Sequence, residues 1–267
     1  MSDAREVALQ RRALGDWVAM LGASSEGART LRLDGVTAAI VPASPQRSIC
    51  NSVAYSDGEA LLAGLERLAG EYERAGIAAW TVWVPEPDAE VAAALERAGH
   101  KLDGSPVAMS LELERLRPAE LGDLDYESGA DPAELGPMNE LAYGPSAAGM
   151  ARALTTPPDE AVIWAARDRG ELACVMATMD HPNQAPQQRR GSATPPSDLG
   201  GYFVATHPEH RGRGLASRLV TAALLDARER GLLSSSLQGS PMGRSIYTRL
   251  GYTTDFELRM YERRKPG

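Results

Sequence analysis

Tyr202-Phe-Val-Ala-Thr-His-Pro-Glu-His-Arg-Gly-Arg-Gly-Leu-Ala-Ser217 reads as a strand, a tight turn and the start of a helix. Tyr202 to Thr206 are aromatic, β-branched or apolar, which suits a buried strand. Pro208 lacks an amide donor and should end the ladder. Beyond the turn, Leu219, Val220, Ala223, Leu224 and Ala227 recur at three- and four-residue spacing, one helical stripe that Gly231 should close. A turn of this composition favours an anion. Gly212 and Gly214 let the backbone approach a ligand, and the free amides of Leu215, Ala216 and Ser217 lie at the positive end of the helix dipole. Arg211 and Arg213 add charge of matching sign. A glycine-rich connection that binds nothing is the competing reading of the glycines alone. The turn is not a P-loop, because no Gly-Lys-Ser/Thr follows. As a dinucleotide fingerprint it lacks the third glycine.

The segment resembles the acyl-CoA loop of the GNAT family, the Gcn5-related N-acetyltransferases. That loop reads Arg/Gln-x-x-Gly-x-Gly/Ala, and Arg211-x-x-Gly214-x-Ala216 matches it. Pro208-Glu209 upstream and Ile246-Tyr247-Thr248-Arg249-Leu250-Gly251-Tyr252 downstream match the family's flanks, the second resembling the helix that carries its catalytic tyrosine. The resemblance implies acetyl-CoA or another acyl-CoA as cofactor. It implies that the backbone of Val204, Ala205 and Thr206 meets the pantetheine arm, that residues 211–217 hold the pyrophosphate, and that Tyr247 is the general acid. Many members carry Asn seven residues before the tyrosine; here Ser240 stands there, able to cap but shorter. Many also carry a strand-four Glu as base, at the position of Gly200. Asp198, on the same strand face, is the nearest substitute, with Glu160, Tyr202 and a water chain as alternatives. His207 and His210 flank the phosphate loop, where a surface or cofactor contact is the expected role.

The chain has 267 residues, 43% hydrophobic and 24% charged, as expected of a globular protein comfortable with two domains. A net charge of −8 argues against nucleic acid as the main partner and weakly favours cationic small molecules. No apolar run approaches the roughly 18–20 residues of a membrane span, and the first twelve residues lack a signal-peptide core. Cys50 and Cys174 are isolated, so neither a disulfide framework nor a zinc site is expected. These features suggest a cytoplasmic protein.

Before the decisive stretch, residues 6–21 suit an amphipathic helix, and 30–33 with 36–41 a hairpin turning at Asp34-Gly35. Residues 49–55 suit a third strand. Ser56 and Glu59 suggest a capping box on a helix whose Leu61, Leu65, Leu68, Tyr72 and Ala75 face the core. A strand over 77–84, a helix over 88–98 and a strand over 107–113 follow. Strand and helix spacing make Tyr72, Trp80 and Trp83 core residues, the alternative being a ligand platform. Farther on come a short strand at 124–128, two short helices at 132–143 and 146–154, which by the GNAT resemblance border the acceptor pocket, and strands at 161–166 and 172–179. His181 to Asp198 shows no periodicity: disorder, or a mobile lid over the acceptor.

The rhythm of the first half recurs in the second. Glu73-Arg74-Ala75-Gly76 parallels Arg228-Glu229-Arg230-Gly231, and Leu95-Glu96-Arg97-Ala98-Gly99-His100 parallels Tyr247 to Tyr252. The resemblance therefore extends to an α/β (α+β) tandem of two GNAT-like domains, each a mixed twisted sheet flanked by helices. The expected domains are 1–116 and 117–267. The first looks degenerate, with acidic Ser56-Asp57-Gly58-Glu59 in place of the loop and Leu95 in place of the tyrosine. The implied activity is transfer from acetyl-CoA to a primary amine of a small molecule or peptide by direct attack in a ternary complex. The alternative is a non-catalytic acyl-CoA-binding or regulatory module. Either is compatible with a monomer or a homodimer, and a built-in partner domain reduces the need for the latter.

Overall fold

The computed structural model describes residues 4–182 and 196–265. In chain order the N-terminal part comprises α1 (Ala4–Leu21), β1 (Arg29–Leu33), β2 (Val36–Ile40), β3 (Ser52–Tyr55), α2 (Gly58–Arg74), β4 (Ala79–Pro85), α3 (Ala89–Arg97), β5 (Lys101–Gly104) and β6 (Val107–Glu112). The remainder comprises β7 (Asp125–Ser128), α4 (Leu135–Tyr143), α5 (Met150–Ala153), β8 (Ala161–Asp168), β9 (Glu171–Pro182) and β10 (Pro196–Thr206). It ends in α6 (Leu215–Glu229), β11 (Ser234–Gly239), α7 (Arg244–Leu250) and β12 (Thr253–Arg264).

Local sequence explains most boundaries. The β1–β2 hairpin turns at Asp34-Gly35, where Gly35 has φ +66° and the flanking residues pair Leu33 with Val36. The cap of α2 is Asp57 rather than Ser56: its carboxylate accepts from the amides of Glu59 (2.9 Å) and Ala60 (3.1 Å). Both residues are good caps, and Asp57 is the one whose side chain reaches N2 and N3. Residues 48–50 form a 3-10 turn instead of continuing β3, and the two short helices of the second half each begin as 3-10 turns. His181 and Asp198 are strand residues paired across β9 and β10. The region between them, where a loop or lid was expected, lies outside the described residues at 183–195.

The twelve strands form one sheet in the order β1-β2-β3-β4-β12-β6-β11-β10-β9-β8-β7, with β5 also pairing β12. Among the described strand pairs, only β3–β4 and β10–β11 are parallel. The last strand of the chain lies between β4 and β6, and β6 lies between β12 and β11. Each half of the chain therefore completes the other's sheet.

Three apolar cores result: one under α2 and α3, one under α6 and α7, and a central one beneath α1 and α4. In the central core Leu14, Trp17, Val18 and Leu21 of α1 meet Val175 and Ala177 of β9 and Tyr202 of β10. Gln10 fastens the same helix by donating to the Met109 carbonyl and to Asp255, both at 2.9 Å. Tyr72 and Trp80 stack at 4.8 Å within the core beneath α2, as strand and helix spacing predicted. No helix among the described residues is long and apolar enough to cross a membrane.

Candidate active site

The parallel pair β10–β11 is hydrogen-bonded only from Asp198↔Ser234 to Gly201↔Leu237. Beyond that point β10 bulges between Tyr202 and Ala205, and Phe203 takes φ +53°. A left-handed phenylalanine costs about 1–3 kcal/mol, so its neighbours must hold it there. Asn139 of α4 donates to the Phe203 carbonyl (3.2 Å), and the Tyr143 hydroxyl donates to the Val204 carbonyl (2.9 Å). The strands diverge around this kink and open a groove of about 760 Å³. Its β10 wall carries backbone groups with no β11 partner, the arrangement that accepts an extended ligand as an added strand.

At one end of the groove, Gly212 and Gly214 both have φ +75°, a conformation an L side chain resists. Gly214 caps α6 without any side-chain acceptor, so the first-turn amides of Leu215, Ala216 and Ser217 are left to solvent or ligand. These three residues line the groove with Val204, Thr206 and Arg211. The Arg211 guanidinium donates to the Ala142 carbonyl, a neutral partner that leaves its charge uncompensated.

Two residues expected to contact the cofactor direct their side chains away from the groove. Arg213 turns away to pair with Asp168 (2.5 and 3.0 Å), which also meets His210 (3.1 Å). This arginine holds the Asp168 carboxyl below its usual range. The Ala205 side chain faces the core, between Val204 and Thr206, which line the groove.

Tyr247 on α7 lies against the groove, edge-on to Tyr252 at 5.8 Å. Burial, reinforced by Tyr143, Tyr252 and Cys174, pushes its phenol well above the ordinary tyrosine range, so it holds its proton at neutral pH. Ser240 also lines the groove, its hydroxyl accepting from the Gly243 amide (3.2 Å) at the approach to α7.

Asp198 is not brought to this site. It is fully buried, and Ser234 (2.8 Å) and Ser236 (2.6 Å) donate to its two oxygens. These bonds stabilise it as a structural carboxylate tying β10 to β11. The glycine two residues after it, in the base position, is also committed: a Cβ on Gly200 would lie 2.3 Å from the Tyr202 hydroxyl and 2.4 Å from His181 Nε2. Those two atoms bond at 2.7 Å, and His181 Nδ1 meets Asp16 of α1 at 2.7 Å. A buried imidazole–phenol pair, anchored on the partly exposed Asp16 carboxylate, thus fills the place of a strand-four side chain.

The sequence reading missed several lining residues. Asn139 and Tyr143 brace the kink, and Gln238 presents a buried Nε2 without an acceptor. Trp17, Arg47 and Trp83 come from the N-terminal part. Only the position of Tyr143 just before Gly144-Pro145 hinted at a pocket edge. The described residues hold no cluster of three or more metal-ligating side chains.

Residues 158–254 match the family described as the acetyltransferase (GNAT) domain. Similar solved structures span almost the whole chain. A GCN5-related N-acetyltransferase from Kribbella flavida is 17% identical, covers 96% of this chain and 95% of its own, and has a TM-score of 0.66. A tandem GNAT protein from the clavulanic acid biosynthesis pathway is 15% identical over 97% and 96%, TM-score 0.56. A GCN5-related N-acetyltransferase from Sphaerobacter thermophilus is 16% identical over 97% and 94%, TM-score 0.53. No curated protein matches. At these identities the structures establish a shared fold, the mixed α/β GNAT architecture.

Proposed function

We propose that this chain, which carries a GNAT acetyltransferase domain over residues 158–254, is an N-acyltransferase. Its cofactor is acetyl-CoA or a related acyl-CoA, and its acceptor a primary amine of a small molecule or peptide. Residues 117–267 carry the cofactor site; residues 1–116 form a degenerate companion domain that supplies one rim of the groove. The observation that carries this reading is the continuity of the groove from the uncapped α6 amides, past the kinked β10 edge, to Tyr247.

The residues present fit the cofactor. The amides of 215–217 and Arg211 suit a pyrophosphate, and the β10 edge at Val204 and Thr206, which has no β11 partner, suits an amide-bearing arm. Bound acyl-CoA supplies a thioester carbonyl that an amine attacks, the C–N bond forming as C–S breaks, with loss of one amine proton and return of one to sulfur. Tyr247 keeps its phenolic proton at the groove wall, where it serves as donor to the departing sulfur. Asn139 and Tyr143 hold the kink that keeps β10 and β11 apart.

One observation favours the non-catalytic alternative: no carboxylate lines the groove among the described residues. Two variants separate the readings. Calorimetry should show one acetyl-CoA site in the parent protein, lost in Gly214→Glu. Tyr247→Phe should keep that affinity while turnover on an amine panel falls about 10²–10⁴-fold. A fully active Tyr247→Phe enzyme would remove this tyrosine from the mechanism. Absence of acetyl-CoA binding by the folded parent would reject the acyltransferase and the acyl-CoA-binding module alike.

A further inference from the structure

The groove continues past Tyr247 across the sheet. Its far rim consists of Arg47 and Ile49 on the 3-10 turn before β3, Trp83 of β4, and the 104–106 turn. The strand order β4-β12-β6-β11-β10 sets this rim on the opposite side from α6 and its arginine. Between them stand Trp17, Met150 and Met260. Trp17 packs edge-on against Trp83 (5.3 Å) and stacks on Tyr202 (6.4 Å), giving an aromatic floor.

The charged or titratable side chains of the lining with a basic group are Arg47, Arg211, Arg249 and His210, and no aspartate or glutamate accompanies them among the described residues. Arg211, Arg249 and His210 belong to the α6 and α7 end. Arg47 stands alone at the far rim. Its guanidinium has no hydrogen bond or ion pair within the described residues, and its Nε is sealed from water without an acceptor. The carboxylate whose field it shares, Glu262, is already gripped on both oxygens by Arg264 (2.7 and 2.8 Å). Arg12 also has an orphaned Nε, but it lines a different cleft together with Asp16, Glu112 and Glu114. A desolvated donor without an acceptor is costly, and a planar carboxylate is the partner whose geometry matches the guanidinium fork.

We infer that the acceptor is an amino-acid-like amine with an apolar or aromatic body, whose carboxylate is held by Arg47. This rests on the acyltransferase reading and names its substrate class. It also reverses the sign suggested by the net charge of −8: the local field of the groove, set by its own arginines, outweighs a distant surface charge. A carboxylate at Arg47 has a second source, the acyl chain of a dicarboxylic acyl-CoA, and the test separates the two.

Binding is the readout. N-acetylphenylalanine and N-acetylphenethylamine differ only by a carboxylate, and each is titrated into wild type, Arg47→Gln and Arg47→Lys, with and without CoA. The carboxylate should tighten wild-type binding about tenfold or more. Arg47→Gln should erase that preference, and Arg47→Lys should keep part of it, with CoA affinity unchanged in both. Equal binding of the two compounds to wild type, or an undiminished preference in Arg47→Gln, overturns the inference. A parallel titration compares succinyl-CoA with acetyl-CoA: an Arg47-dependent preference for succinyl-CoA without one for N-acetylphenylalanine assigns the arginine to the acyl chain and overturns it too. The CoA-free titrations report on Arg47 even in a protein that binds no cofactor, so failure of the enzyme reading and failure of this one are distinguishable.

Discussion

His100 shows how a single side chain ties stability to pH. Its ring is buried edge-on against Trp80 at 4.7 Å, with Nδ1 3.2 Å from the Leu95 carbonyl and Nε2 sealed without a partner. Burial, aided by nearby Arg263, pushes its pKa down to about 4. The unfolded chain takes up this proton near the ordinary histidine value of about 6.5. The contribution to stability is therefore complete above about pH 6.5 and declines as pH falls toward 4, by on the order of 3 kcal/mol. Urea midpoints measured from pH 8 to 4 should fall across that window. His100→Gln should flatten that part of the decline, and an unchanged profile in the variant would show that another group controls it.

The turn into α6 separates two arginines that look equivalent in sequence. Arg211 lines the groove, whereas Arg213 is spent on Asp168. Arg211→Glu should abolish acetyl-CoA binding, while Arg213→Ala should leave the affinity within about threefold, its guanidinium being held by Asp168 in an exposed ion pair away from the groove. Equal losses in the two variants would mean that the loop acts as an undivided positive patch. This contrast also marks the limit of reading elements from sequence. The strand–turn–helix, the α6 stripe and Tyr247 were legible because periodicity, glycines and motif spacing are local signals. The partner of Arg213 was not, since Asp168 approaches from another hairpin. Nor was the fate of Asp198, whose two serines arrive on β11, or the role of Gly200, which only the packing of His181 and Tyr202 reveals.

At the scale of the molecule, the recurring rhythm of the two halves predicted similar elements in similar order, and each half does contain them. Their terminal strands, however, are exchanged: β12 lies against β4, and β6 against β11. Side-chain pattern specifies which face of a strand is buried but not which neighbour covers its edge, so sequence alone gave no sign of the crossing. The two halves should unfold together, with far-ultraviolet dichroism and tryptophan fluorescence tracing coincident transitions. Deletion of residues 253–267 should disrupt the N-terminal core as well as the groove, read as loss of protection at Val82 and Val84 in hydrogen exchange. Separate transitions for the two halves would contradict this coupling. Sedimentation should give a monomer, since the β11 and β4 edges that a second copy would cover are already paired with β6 and β12.

The exchange also bears on synthesis. A ribosome completes residues 1–116 long before β12 emerges, so the nascent N-terminal half must wait with the edge of β4 open and β6 short of both its final neighbours. Such edges are templates for pairing with other chains. Translation that stalls before Thr253 would release a chain lacking β12, with a gap in the middle of its sheet, a product for chaperones and proteases to intercept.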